Sequence, residues 1–436
     1  MALSRREIAA ALALAVVSSA GDALAEETIA IHGQLTYVEQ ETSDFNAPYR
    51  GANSLSPDRG AETIDATLYL GARPWQGAEA WINPEIDQGH GLDDTLGMAG
   101  FPSGEAYKVG KNQPYLRLQR AFMRQTIALG VRELSLDAGA NQLAQTISQD
   151  RLVLWVGKFG VPDVFDGNQF AHDPRVDFFN WTLIDTGSFD YAADAWGYTA
   201  GAAVEWYAGA WTWRGGLFDL SDVPNSADLE PALREFQTVT EVEHRHAINR
   251  EAGRVLVTVY QSHGRMGLLD AAVQRAETTG APVSAAAVRH YRSRAGASLD
   301  IEQSLGPSLG AFVRLGKSQG NVEAYEFTDV DRSAALGLSL KGIPWHRAHD
   351  TVGLAAVVDN ASAARQRYLA AGGLGITVGD GRLPHPGPEQ IIEGYYSAQL
   401  LANLNLTLDY QWVEHPAFNR DRGPVSLLAF RLHAQF

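Results

Sequence analysis

Two stretches of the chain hold side chains able to grip a polar solute. Glu79, Trp81, Asn83, Glu85 and Asp87 occupy alternate positions between residues 78 and 87, and Arg120 and Arg124 lie on the next patterned segment, residues 115–129. Carboxylates accept hydrogen bonds, guanidinium groups donate through a planar fork, an Asn amide does both, and an indole ring offers an apolar face. The spacing is that of a strand, because Ala78, Ala80, Ile82, Pro84 and Ile86 take the opposite face. On the returning segment Arg120, Phe122, Arg124 and Thr126 share one face, and Ala121, Met123 and Ile127 share the other. Guanidinium groups are therefore expected to face carboxylates across a hairpin, an arrangement suited to a binding constriction. A face with this many carboxylates needs water beside it.

The elements that must carry these residues are bounded by composition. Residues 1–25 hold Arg5 and Arg6, an apolar run from Ile8 to Val17 and Ala23-Leu24-Ala25, the pattern of a secretory signal peptide. Arg5 and Arg6 also hint at twin-arginine export, but that route carries folded cargo and a barrel crosses unfolded. Cleavage after Ala25 removes two charges of each sign, so the formal net charge stays at −16. The chain has no cysteine, which excludes disulfides and thiolate metal sites. Beyond the signal no apolar run reaches about 18 residues, which excludes ordinary membrane helices and leaves transmembrane strands open. The acidic balance argues against a nucleic-acid partner.

Alternating segments recur along the whole chain: about 29–40, 64–73, 78–87, 115–129, 152–159, 197–207, 211–218, 236–246, 254–261, 295–303, 309–316, 334–341, 351–358, 390–400, 404–413 and 425–436. Short turns and long loops alternate between them, although the polar connection from Gln125 to Asp150 is longer than that rule. Trp206, Trp211 and Trp213 beside one turn suit a membrane interface, and residues 268–290 and 361–371 are Ala-rich with helical spacing. The count gives an all-β transmembrane antiparallel barrel of about sixteen strands in one domain, residues 26–436, with long loops carrying short helices and both termini at the short-turn end. A soluble β-sandwich or propeller shares the alternation, but not the series of turns and loops together with a signal and a terminal Phe436.

Several motifs along almost the whole mature chain resemble the carbohydrate-selective porin family, OprB, of Gram-negative outer membranes. They are FNAPYRGANSL (residues 45–55), WQGAEAWINPEIDQGHG (75–91), GFPSGEAYKVG (100–110), VGKFGVPDVFDGNQF (156–170), DAWGY (194–198), GLFDLSDVPNS (216–226), and the stretches 389–396 and 419–436. The resemblance implies a sixteen-stranded barrel and passive uptake of glucose and related sugars, with a constriction built from inward loops, about 88–113 and 160–195, and charged wall residues. It also implies an outer-membrane lipid environment and delivery to the barrel-assembly machinery through the C-terminal strand ending in Phe436. No cofactor is implied.

A sugar donates and accepts through vicinal hydroxyls and stacks its C–H face on aromatic rings. Trp81, Asn83, Glu85, Arg120 and Arg124 supply that set, and passage requires weak binding, on the order of −4 kcal/mol at millimolar affinity. An Arg facing lipid at mid-depth costs about 2–4 kcal/mol, so Arg120 and Arg124 are expected to face inward. The loop at 160–195 adds Asp163, Asp166 and Trp181 as candidate solute contacts, with Phe165, Phe170, Phe178 and Phe179 as anchors to the wall. Asp163 with Asp166, or His172 with Asp173, are the alternative cation ligands, without the regular spacing of a known site. Asp380 and Arg382 read as solvated loop residues. The sole nucleophile-elbow match, Gly306, Ser308 and Gly310, sits between two expected strands and not at a strand-to-helix turn. The competing functions are a general or small-anion porin, from the wall arginines, and an adhesive barrel with a plugged lumen. A trimer interface on a barrel wall has the composition of a lipid-facing one, so the sequence does not set the oligomeric state.

Overall fold

A computed structural model describes residues 26–106 and 109–436. The signal peptide expected at residues 1–25, and residues 107 and 108 within the loop at 88–113, lie outside the described residues.

Sixteen antiparallel strands close into a barrel. In chain order they are β1 (Ile29–Thr42), β2 (Gly60–Ala72), β3 (Ala78–Gly89), β4 (Lys111–Ala128), then, after a small hairpin of β5 (Glu133–Leu136) and β6 (Gln145–Ser148), β7 (Arg151–Phe159). They continue as β8 (Thr199–Ala208), β9 (Trp211–Asp219), β10 (Phe236–Ile248), β11 (Glu251–Gly267), β12 (Arg289–Ser304), β13 (Leu309–Ser318), β14 (Arg332–Gly342), β15 (Arg347–Asn360), β16 (Glu389–Leu401), β17 (Leu404–Glu414) and β18 (Val425–Gln435). Each pairs with its neighbours in sequence, β4 pairing with β7 across the small hairpin, and β1 closes on β18. Closure leaves no sheet edge, which a strand in hydrocarbon requires. Among the described residues no helix is long and apolar enough to cross a membrane.

The period of two decides which side chains meet lipid. On β3 Ile82 and Ile86 are exposed while Trp81, Asn83, Glu85 and Asp87 are buried, and on β4 Met123 and Ile127 are exposed while Phe122 is buried. Both faces match the expectation. Trp75, Trp206, Trp211 and Trp213 are exposed beside the short turns, where indole rings suit a lipid–water boundary. The Ala-rich stretches form the helices Leu269–Thr279 and Ala363–Ala370, which pack on each other over the long-loop end.

Two features depart from the expected layout. β11 and β12 run to Gly267 and from Arg289, several residues past their expected ends. The added positions, Ser262, His263 and Arg265 opposite Arg294, Ser293 and Tyr291, keep pairing without an apolar face, so the lipid pattern alone ended too early. The long connection after β4 is the β5–β6 hairpin, whose Leu143 and Gln145 are buried against the inward face of β3.

The barrel is filled from its long-loop end. Residues 160–198 leave the wall and cross the interior, with Phe165 against Phe218, and Phe178 against Phe312 and Tyr395 of the opposite wall. Inward wall residues hold the backbone of this loop. Arg314 donates to the carbonyls of Leu183 (2.6 Å) and Asp166 (3.0 Å), Arg431 to that of Asp177 (3.0 Å), and Glu393 accepts from the amides of Phe179 (2.5 Å) and Asn180 (2.9 Å). The preceding loop joins it through Phe101, stacked on Trp181 at 5.0 Å, and is tied to the wall by Glu389 of β16, which accepts from the Ala99 and Gly100 amides.

Candidate functional site

The site begins with a proline. Pro84 has no N–H to give the ladder between β3 and β4. The register accordingly slips there: Asn83 opposes Arg120 and Pro84 opposes Leu118. The resulting bulge leaves Gln119 unopposed and sets it inward beside Arg120, which keeps the phase of Phe122 and Arg124. Gln119 is buried and donates to Glu85 (3.0 Å) and Asp87 (3.3 Å), while Arg120 reaches past the wall to the crossing loop.

There it meets Asp163 in a two-pronged pair, Nε to Oδ2 at 2.7 Å and Nη2 to Oδ1 at 2.6 Å. Burial favours the neutral acid, but Arg120 and the Gly160 amide outweigh it and hold the Asp163 carboxyl below the usual range. Pro162, Asp163 and His172 are the wall shared by two cavities. The outer one, about 220 Å³, is lined by Arg120, Arg175, Trp181, Asp185, Trp196 and Tyr198 among others. The inner one, about 300 Å³, is lined by Arg124, Arg151, Trp155, Glu205, Tyr207 and Arg254 among others. Its charged lining is balanced: four carboxylates (Glu79, Asp163, Glu205, Glu241) and four guanidinium groups (Arg124, Arg151, Arg214, Arg254). Burial pushes His172 down, so the imidazole at this junction is neutral near pH 7.

The structure distributes the expected contacts among three settings. Arg120, Asp163 and Trp181 line the outer cavity, and Arg124 lines the inner one, where it pairs with Glu79 at 2.7 Å and lies over Trp155 at 4.8 Å. Trp81, Asn83 and Glu85 face inward as expected, yet all three are packed away. Trp81 is 1% exposed, lies over Gly71, where a Cβ would come within 2.5 Å of the ring, and donates to Glu79 at 3.1 Å. Asn83 and Glu85 are fully buried, and the loop residue Arg175 stands 3.6 Å from Glu85 and 3.5 Å from Asp65. Asp166 is a loop brace that accepts from the amide and hydroxyl of Thr186 (2.6 and 2.7 Å). Of the alternative cation ligands, Asp163 is thus engaged by Arg120 and Asp166 by Thr186, and among the described residues no group of three or more His, Asp or Glu is arranged to hold a metal.

Other residues of the site went unread in the sequence. Arg175 is one, and the charge-bearing inward positions Arg214, Arg314 and Arg431 are others; an arginine on the buried phase of a barrel strand is the signal that marks them. Trp196 is another, carrying Arg117 over its ring at 3.4 Å. Asp380, expected to be solvated, is buried between Ser54 and Asn419, and Arg382 stacks over Tyr49 at 3.9 Å. Gly310 of the Gly306–Ser308–Gly310 match lies on β13 beneath Phe170, a packing role in a strand–turn–strand.

The architecture is shared with known channels. The structure of Pseudomonas putida OprB at high pH superposes with a TM-score of 0.69 at 14% identity over 94% of each chain. Its low-pH structure gives 0.51 at 11% identity, over 94% of this chain and 93% of that one. The outer-membrane channel DcaP of Acinetobacter baumannii gives 0.51 at 9% identity, over 95% and 100%. No curated protein sequence matches the chain. At these identities the structures establish a common fold. The family model described as carbohydrate-selective porin, OprB family, matches residues 52–436, and the chain belongs to that family.

Proposed function

We propose that the protein lets neutral sugars, glucose and related mono- or oligosaccharides, diffuse passively across the outer membrane of a Gram-negative bacterium. The observation that carries this reading is the Arg120–Asp163 pair set between two polar cavities. A solute moving from one cavity to the other must pass that pair. Two of the five guanidinium N–H groups of Arg120 form the fork and a third reaches Tyr198, while Asp163 Oδ2 also takes the Gly160 amide and Oδ1 keeps a spare lone pair, so both side chains retain capacity for hydroxyls. Balanced charge in the inner cavity gives no net pull on an anion, which weighs against the small-anion alternative. Trp155 and Tyr207 line that cavity beneath the guanidinium groups of Arg124 and Arg151. A volume of about 300 Å³ is at the small end for ligand sites and suits one sugar ring at a time.

On this reading the long loops are extracellular and the short turns periplasmic. Arg120, Asp163 and Arg124 touch the solute, while Trp181, Trp81, Asn83, Glu85 and Asp166 brace the wall and the loop. Residues 88–113 and 160–195 form the constriction, residues 1–25 are removed on export, and Phe436, paired with Gly33 at the barrel seam, is the end read by the assembly machinery. Proteoliposome swelling tests the function. Glucose is expected to enter faster than an uncharged polyether of equal size, and a small organic anion more slowly than either; equal rates for all three would overturn the reading.

A further inference from the structure

The β5–β6 hairpin stands at the other end of the inner cavity. Leu136, Gln142, Gln145 and Ile147 of this segment line the cavity together with Arg124 and Trp155 of the wall. Its inner arm is held by one carboxylate. Glu79 accepts from Gln145 Nε2 (2.6 Å), the Leu143 amide (3.3 Å), Arg124 (2.7 Å) and Trp81 (3.1 Å), and Arg124 also donates to the Asn141 carbonyl (3.0 Å). A second clasp lies at the chain's start: the Glu27 amide donates to the Ala144 carbonyl (3.0 Å), and the Ala144 amide to the Glu27 carboxylate (2.8 Å). Leu143 is fully buried and belongs to the same apolar cluster as Trp81, Phe122 and Trp155, whereas Val131 at the base is 97% exposed.

We propose that residues 129–150 form a movable inner closure of the channel, latched by Glu79, so that the chamber behind Arg120–Asp163 is bounded at both ends. The hairpin's own ladder is four residue pairs, Glu133↔Ser148 to Leu136↔Gln145. A two-stranded ribbon of that length is marginal by itself, so its place depends on the latch and on Leu143. The contacts that cross from the arm to the wall, Gln145 and the Leu143 amide to Glu79 and Arg124 to the Asn141 carbonyl, are directional and few, and they release together when the arm swings toward the short-turn end. A solute leaving the chamber on that side meets Gln142 and Gln145, whose amides match hydroxyls. The hairpin is then a second point of selection in series with the first.

The absence of cysteine from the chain makes a single introduced thiol unique. Leu143→Cys and, as an exposed control, Val131→Cys are reconstituted and treated with a membrane-impermeant, charged methanethiosulfonate from the short-turn side. The expected result is complete modification of L143C, roughly tenfold or more slower than V131C, with a lasting fall in KCl conductance. An L143C thiol that stays unmodified long after V131C has reacted fully overturns the movement. A variant with residues 131–148 replaced by Asn-Gly is expected to conduct KCl at least about twice as well as the parent; unchanged conductance overturns the closure. If that variant does not fold, the thiol rates decide alone. Both readouts use salt, so they stand or fall separately from sugar transport.

Discussion

Arg120 shares the inward face of Phe122 and Arg124, and the bulge opposite Pro84 sets Gln119 inward beside it. Replacing Arg120 by Ala removes a two-pronged charged contact at the junction of the cavities. A hydrogen bond to a charged group contributes about 1.5–3 kcal/mol, and ~1.4 kcal/mol is tenfold in affinity. R120A is therefore expected to weaken sugar block about tenfold and to raise open-channel conductance, as single-channel recording will read. Block of unchanged affinity would remove the pair from the solute's path. The inward direction of Arg120 and Arg124 was legible in the sequence because an arginine on the lipid phase is costly. The depth of Trp81 was not: it follows from Gly71 on the neighbouring strand, which leaves room for the ring to lie over it.

The crossing loop, residues 160–198, carries its own titration. Burial in the loop and the neighbouring Asp166 push the Asp185 carboxyl up to about 7, against the pull of Arg314. A raised carboxyl is protonated below that value and charged above it. Asp185 lines the outer cavity, so the cavity gains negative charge as pH rises through about 7. Cation preference, measured as reversal potential in a salt gradient, is expected to increase between about pH 6 and 8 and to lose that step in D185N. A pH-independent potential, or a step that survives the substitution, would place the charge elsewhere. The sequence marked this loop through its density of Asp and Phe, and the aromatic anchors lie against the wall as expected. It did not mark the partners, because Arg314, Arg431 and Glu393 bind the loop's backbone across more than a hundred residues of chain. Nor did it mark the β5–β6 hairpin, whose four-residue strands have no lipid face to impose a pattern.

The barrel as a whole is specified by one repeated rule, apolar toward lipid and polar or aromatic toward the filled interior. Sixteen strands were countable because that rule recurs with a turn or loop after each repeat, and the count fails only in length where strands rise above the lipid. The rule predicts an asymmetry between faces. Leu354 is exposed at the middle of β15, and Leu354→Arg is expected to cost about 2–4 kcal/mol in a lipid-based folding titration. A cost near zero there would mean that this face is not in hydrocarbon. Closure through β1 and β18 then sets the bore, across which residues 160–198 lie.

The most direct measurement is single-channel current through the reconstituted protein while glucose, a disaccharide and an uncharged polyether of glucose size are titrated in turn. Saturable block by glucose in the millimolar range, weaker block by the disaccharide and none by the polyether are predicted, since only hydroxyl-bearing rings satisfy Arg120 and Asp163 together. Equal, non-saturating effects of all three solutes would contradict a sugar-selective channel and leave only a water-filled bore.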